Sequence, residues 1–252
     1  PSNPPPTPPQ PPPCTVLRNM KAHKPVLQLL NLPFDQMGKK ETELPIRGLI
    51  LMAYRLLKAL TTGFPQMQTD LCPHLPAFIA HTECDLVAFD ITPTDCINAV
   101  CHDNRDACVQ LNEETIAQFV QMGAKEHEPR YVRFLQMVVD PQNKPIKLNQ
   151  EVVLSKLNET ANALELFKDR KGKQQMNKLI VDREHIDNPR GRLMYHMELM
   201  HLLTACAAGK NAANELMVRD MVGMDEITTL LIDPIVQARL RLRHTLSPTS
   251  PR

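Results

Sequence analysis

The chain has 252 residues, of which 42% are hydrophobic and 23% are charged, and its formal net charge at pH 7 is +1. This composition excludes fibrous and wholly disordered proteins, and a chain of this length buries roughly 70–75% of its unfolded surface, so it needs neither disulfides nor metal to be stable. The balance of 29 Lys and Arg against 28 Asp and Glu also argues against a dedicated nucleic-acid-binding or membrane-surface protein, which would carry an overall excess of positive charge.

Amino-acid usage favours an all-helical fold. The chain has 8 glycines, no Trp and 13 Met, so its interior must be built mainly from Leu, Ile, Val, Met and Ala, most of which are good helix formers. A scarcity of glycine is also a poor composition for phosphate-binding loops. We expect no secretory leader, and the odd number of cysteines, seven, favours reduced thiols in the cytosol.

The two ends of the chain are typical of linkers. Nine of the first thirteen residues are proline, which fixes φ and removes backbone donors, so residues 1–14 are predicted to form a proline-rich linker or interaction tail. Residues 247–252 have the same character, and we expect both ends to continue into a longer chain. Between them, the longest apolar run, 46–60, carries three cationic residues and is too polar to span a bilayer.

Apolar residues recur three and four positions apart, which predicts amphipathic helices. The clearest stripe covers 46–60, with Pro45 in its first turn and Gly63 as its end. The stripe consists of Ile46, Leu49, Ile50, Ala53, Leu57 and Leu60. Shorter helices are predicted at 15–22, 24–31 and 66–79.

The second half of the chain carries local start and stop signals for helices. Asn112 precedes two glutamates and predicts a capped helix that ends at Gly123. Pro129 starts the next helix. A long helix over 190–208 is predicted to turn Leu193, Met197, Met200 and Leu203 inwards. Further helices are predicted around 153–157 and at 173–183, 224–232 and 234–246.

About ten amphipathic helices without a convincing alternating strand predict an all-α fold, an irregular armadillo-like α-solenoid of antiparallel helix pairs. A compact helical bundle is the rival architecture. We place the helical domain at residues 15–246. Its predicted core includes the side chains of Leu49, Ala53, Phe134, Leu135, Leu193, Met197 and Leu203.

The densest group of potential metal ligands is Cys96, Cys101, His102 and Cys108. Thiolate and imidazole groups are zinc ligands, but Cys96 and Cys101 lack the tight spacing of a zinc knuckle, and adjacent residues point in different directions on a helix. Buried structural thiols are therefore the preferred interpretation, and a zinc-binding regulatory module is the weaker alternative. The chain also lacks a nucleophile elbow, a phosphate loop and paired glycosidase-like carboxylates, so we expect no enzymatic activity and no cofactor.

Three blocks of sequence resemble a known family. The first is 17–34, which opens with Leu-Arg-Asn-Met-Lys-Ala-His; the second is Tyr-Val-Arg-Phe-Leu at 131–135, with Lys144 and Gln150 downstream; the most specific is 193–211, which opens with Leu-Met-Tyr-His. In this order and approximate spacing they resemble the large cytosolic region of inositol trisphosphate receptors, in the helical homology domain shared with ryanodine receptors. The resemblance covers about 15–246, and 112–246 is its most family-like part.

The resemblance implies an armadillo-like cytosolic segment of a homotetrameric calcium-release channel of the endoplasmic reticulum. In that family the trisphosphate pocket lies earlier in the chain and the pore later, so this segment would couple the two through contacts with other domains and subunits, without contacting nucleic acid or membrane. The proline-rich start and the cysteine-containing stretch 90–106 depart from the family pattern, which indicates a divergent member. A freestanding armadillo-like adaptor that binds extended peptides is the alternative function.

Overall fold

The regular elements of the protein are helices that pack against one another. The computed structural model describes residues 13–31, 43–83, 93–160, 163–164, 170–181, 188 and 191–222. Within these ranges there is no strand, which confirms the all-α class and agrees with an armadillo-like packing of helices. The helices predicted at 224–232 and 234–246 lie outside the described ranges. In the parts that the structure describes, we find no helix with the length and apolar character of a membrane span.

The chain divides into two compact units, 1–107 and 108–252, and the first is a succession of short and long helices. Its helices are α1 (Pro13–Asn19), α2 (His23–Leu30), α3 (Glu43–Thr61), α4 (Pro65–Leu71), α5 (Leu75–Glu83) and α6 (Pro93–Cys101); α7 (Arg105–Val109) follows. Gly63, with φ +70°, ends α3 in the left-handed conformation that glycine adopts at little cost. A 3₁₀ turn at Cys72–His74 interrupts the helix predicted over 66–79, because Pro73 lacks the N–H that an α-helix needs.

Helix α3 packs against α2, α4 and α6 through a face that differs in part from the predicted stripe. Tyr54 and Leu57 are 0% exposed, and Ala53 is buried as predicted. Leu49 is 51% exposed, so its predicted place in the core is wrong. Each residue turns by about 100° around a helix, and a buried face centred on Tyr54 and Leu57 leaves Leu49 to one side.

Local capping sets the helix boundaries of the second unit. Asn112 Oδ1 accepts a hydrogen bond from the Thr115 N–H at 2.9 Å, which confirms the predicted N-cap. This helix runs past its predicted end at Gly123 because His127, with φ 52°, supplies the left-handed end residue. The helices are α8 (Glu113–Glu126), α9 (Pro129–Val139), α10 (Lys147–Glu159), α11 (Arg170–Val181), α12 (Arg192–Ala207) and α13 (Ala212–Met221).

An aromatic pair lies in the core of the second unit. Phe119 of α8 stacks on Phe134 of α9 with ring centroids 3.9 Å apart, and both side chains are 0% exposed. Leu135 of α9 and Leu203 of α12 are buried as predicted. Helix α9 packs against both α8 and α12, so it lies between these two helices in the core of the second unit.

Helix α12 buries a different face from the predicted one. Tyr195 and Leu199 are at most 1% exposed, whereas Leu193 and Met197 are only half-buried, which corrects their assignment to the core. Apolar side chains surround most of this helix, so the periodicity did not mark one face. Packing against α9, α10 and α13 decides which side is buried.

Candidate functional site

The four residues of the alternative zinc site do not assemble. Cys96 and Cys101 of α6 are 0% exposed, whereas His102 is exposed. Cys108 is buried, and its Sγ lies 3.9 Å from the carbonyl oxygen of Met137. Among the residues that the structure describes, no three His, Cys, Asp or Glu side chains form a group that could hold a metal.

The buried thiols behave as small apolar groups. Burial raises the pKa of Cys96 to about 12, and burial raises the pKa of Cys206 to about 12 as well. Both thiols are therefore protonated and unreactive at neutral pH. Their contribution is to core packing.

Helix α9 is attached to α12 by a polar group that we call the Gln136 clamp, formed by Gln136, Arg133 and Glu198. The Gln136 amide donates to the backbone carbonyl of Glu198 at 2.6 Å and to its Oε2 at 3.0 Å. Arg133 Nε donates to Glu198 Oε1 at 2.9 Å. Both carboxylate oxygens are thus satisfied, and because one bond reaches the main chain, the clamp fixes the axis of α12 relative to α9.

Helix α10 holds the end of α12 through a second polar group, the Gln150 clamp. Gln150 is 0% exposed, and its amide donates to the carbonyl oxygens of Ala205 at 2.8 Å and Ala208 at 3.2 Å. Carbonyls at the end of a helix lack their usual i+4 partners. The Ala205 carbonyl also accepts the Ala208 N–H at 3.3 Å, and the Gln150 amide supplies the donor for the carbonyl of Ala208, the residue that ends the helix. Gly209 follows with φ +86°, and a Cβ at this position would lie 3.2 Å from the Pro145 ring, which makes glycine necessary for the close approach.

Two buried aromatic groups complete the surroundings of α12. The Tyr195 hydroxyl donates to the Ala163 carbonyl at 3.0 Å, and burial raises the pKa of Tyr195 to about 12. Burial lowers the pKa of His196 to about 4, so its imidazole is neutral at physiological pH. Neutral, buried groups of this kind fix the position of a helix and supply neither a strong nucleophile nor a proton acceptor with a pKa near 7.

Sequence reasoning did not single out the clamp residues. Gln136 and Glu198 belong to no motif of the sequence analysis, and Gln150 entered only as part of the family resemblance. The available signal was polarity in an apolar setting: Gln136 follows Phe134 and Leu135, and Gln150 precedes the buried pair Val153 and Leu154. A glutamine on such a face must find hydrogen-bond partners when it is buried.

The sequence of this helical chain matches an established domain family. The family model for the RIH domain, RYDR_ITPR, matches residues 15–166, which is more than half of the chain, so the chain belongs to the RIH domain family. The chain is also 25% identical over 224 residues to the "Inositol 1,4,5-trisphosphate receptor itr-1" of Caenorhabditis elegans. That match covers 86% of this chain and 8% of the nematode receptor, and it confirms the resemblance found in the three sequence blocks.

Proposed function

We propose that this chain is a non-enzymatic, cytosolic coupling segment of an inositol trisphosphate-gated calcium-release channel. The channel would work as a homotetramer on the endoplasmic reticulum membrane, with this segment on the cytosolic face. Membership of the RIH domain family and similarity to a named trisphosphate receptor support the proposal. Because the chain spans 8% of that receptor's length, ligand binding and ion conduction belong to other parts of the longer channel in this proposal.

The observation that carries the coupling role is the pair of clamps on α12. The Gln136 clamp binds its middle to α9, and the Gln150 clamp binds its end to α10. Both act on backbone carbonyls, so a displacement of α9 or α10 would move the whole of α12 and not only its side chains. Close-packed interiors resist compression and transmit strain, which lets such a group of helices move as one body.

The coupling role is tested in the full-length channel that contains this segment, produced in cells without other trisphosphate receptors. The double substitution Gln136→Leu and Gln150→Leu removes the hydrogen bonds of both clamps to the backbone of α12 and its end, while the Arg133–Glu198 ion pair remains. We expect ligand affinity to stay at the wild-type value while the maximal calcium release falls severalfold, because binding is intact and its transmission is weakened. The control is Gln121→Leu, at an exposed position of α8, which should release calcium as the wild type does.

Two measurements separate loss of coupling from loss of folding or assembly. Tetramer formation is followed by native gel electrophoresis, and helicity of the 252-residue chain is followed by circular dichroism. A double variant that is helical and tetrameric and still releases calcium at the wild-type maximum would contradict the proposal.

A further inference from the structure

The first unit contains a cleft of about 680 Å³ between the α1–α2 turn and the corner where α4 meets its 3₁₀ turn. Among the described residues, the walls are strongly basic and include one carboxylate. The ionisable residues of the lining are Arg18, Lys21, His23, Lys24, Asp70 and His74. A volume of this size is in the range of small-molecule binding sites.

The single carboxylate of the cleft is already engaged. Arg18 donates from Nε to Asp70 Oδ2 at 2.6 Å and from Nη2 to Oδ1 at 3.1 Å, and the Arg18 hydrogen bond lowers the pKa of Asp70. Lys21 and Lys24 are exposed and form no ion pair with another described residue. Within the described part of the cleft wall, their two positive charges are therefore not compensated by an ion pair.

The most buried ionisable side chain of the cleft is that of His23, and it has an unpartnered nitrogen. His23 is 8% exposed, and its Nδ1 is buried without a hydrogen-bond partner. Burial lowers the pKa of His23, and Lys24, Arg18 and His74 lower it further, against the opposite effect of Asp70. Since Nδ1 is buried away from solvent, an anion in the cleft would act on this imidazole through its charge and not through a hydrogen bond to Nδ1.

The N-terminus of α2, where the helix dipole is positive, lies at the same cleft. Helix α2 begins at His23, and its N-cap residue, Ala22, offers no side-chain cap. Lys21 precedes it in the left-handed conformation, with φ 57°. Pro25 has no N–H and the Lys24 N–H already donates to the Lys21 carbonyl at 2.9 Å, so this helix end contributes the partial positive charge of the helix dipole and not a set of free donors.

We propose that this cleft binds a phosphate-type anion with at least two negative charges, held by Lys21 and Lys24 beside the start of α2. The arrangement supplies two ammonium groups beside the positive end of a helix dipole, which together suit several phosphate oxygens better than a single carboxylate. A soluble polyphosphate and a phosphate monoester headgroup of a lipid share this chemistry. This site is independent of the coupling role proposed above.

The test is calorimetric titration of the 252-residue chain with sodium tripolyphosphate, and flotation with phosphatidylcholine vesicles that contain phosphatidic acid. The cleft variant is Lys21→Gln with Lys24→Gln. The matched control is Lys125→Gln with Lys178→Gln, which removes the same charge from exposed positions of the second unit. We expect one tripolyphosphate per chain, a loss of affinity of about tenfold or more in the cleft variant, and a change of less than about twofold in the control.

The remaining outcomes distinguish the sources or overturn the site. If the chain binds tripolyphosphate but not the vesicles, the ligand is a soluble anion. If the chain also binds the vesicles, and this binding is competed by tripolyphosphate and weaker in the cleft variant, the ligand is a lipid headgroup. Equal losses in the cleft variant and the control, several anions bound per chain, or no binding in either arm would overturn the proposal. As a second readout, saturating tripolyphosphate should raise the pKa of His23 in a nuclear magnetic resonance titration and leave that of His196 unchanged.

Discussion

Truncation of Phe134 should strongly destabilise the second unit. Phe134 is 0% exposed and stacks on Phe119 with centroids 3.9 Å apart, so Phe134→Ala removes a buried ring and leaves a cavity in a close-packed core. Such substitutions cost about 3–5 kcal/mol, of which the lost aromatic pair contributes about 0.5–1.5 kcal/mol. Phe134→Leu keeps most of the volume and should cost less than about 2 kcal/mol.

The assay is the rate at which a thiol reagent labels Cys206, read by peptide mass spectrometry. Cys206 is a free cysteine that is 0% exposed in the same unit, so labelling requires the unit to open. A loss of 3–5 kcal/mol corresponds to labelling that is roughly a hundredfold to several thousandfold faster when opening is rapid and reversible. The control is Leu148→Ala, at a position that is 67% exposed, with less than about a threefold change expected. A Phe134→Ala rate within about tenfold of the wild type would refute the reasoning.

Three further predictions concern the surroundings of α12. Gln150→Leu leaves the Ala208 carbonyl without its donor and the Ala205 carbonyl with only the Ala208 N–H. It should cost about 1–3 kcal/mol in urea unfolding, and an unchanged midpoint would show that water replaces the amide. Gly209→Ala adds a Cβ 3.2 Å from Pro145 at φ +86°, whereas Gly63→Ala at φ +70° meets open space. We therefore expect Gly209→Ala to lower the melting temperature more than Gly63→Ala does. The reverse order would disprove the steric argument. Burial lowers the pKa of His196 from 6.5 to about 4, so as the pH falls the unfolded chain binds a proton at His196 before the folded chain does. The free energy of unfolding should therefore decrease between pH 6.5 and pH 4, and His196→Leu should reduce this decrease. An equal decrease in the variant would contradict the assignment to His196.

The helical class, the family and several helix boundaries follow from local features of the sequence. Asn112 and Pro129 act on backbone groups within one turn of themselves, so their effects need no tertiary context. The spacing of apolar residues predicted helices at most of the positions where they lie. The three family-like blocks were recognisable because they are contiguous stretches of residues.

Contacts between helices set which face of each helix is buried and where the clamps form. Both faces of α3 and most of α12 carry apolar side chains, so periodicity gave no unique inner face, and Leu49, Leu193 and Met197 were assigned to the core incorrectly. The partners of Gln136 and Gln150 lie 62 and at least 55 residues away along the chain. A pattern confined to a few turns of helix carries no information about such contacts, because neighbouring helices and not local spacing bring these groups together.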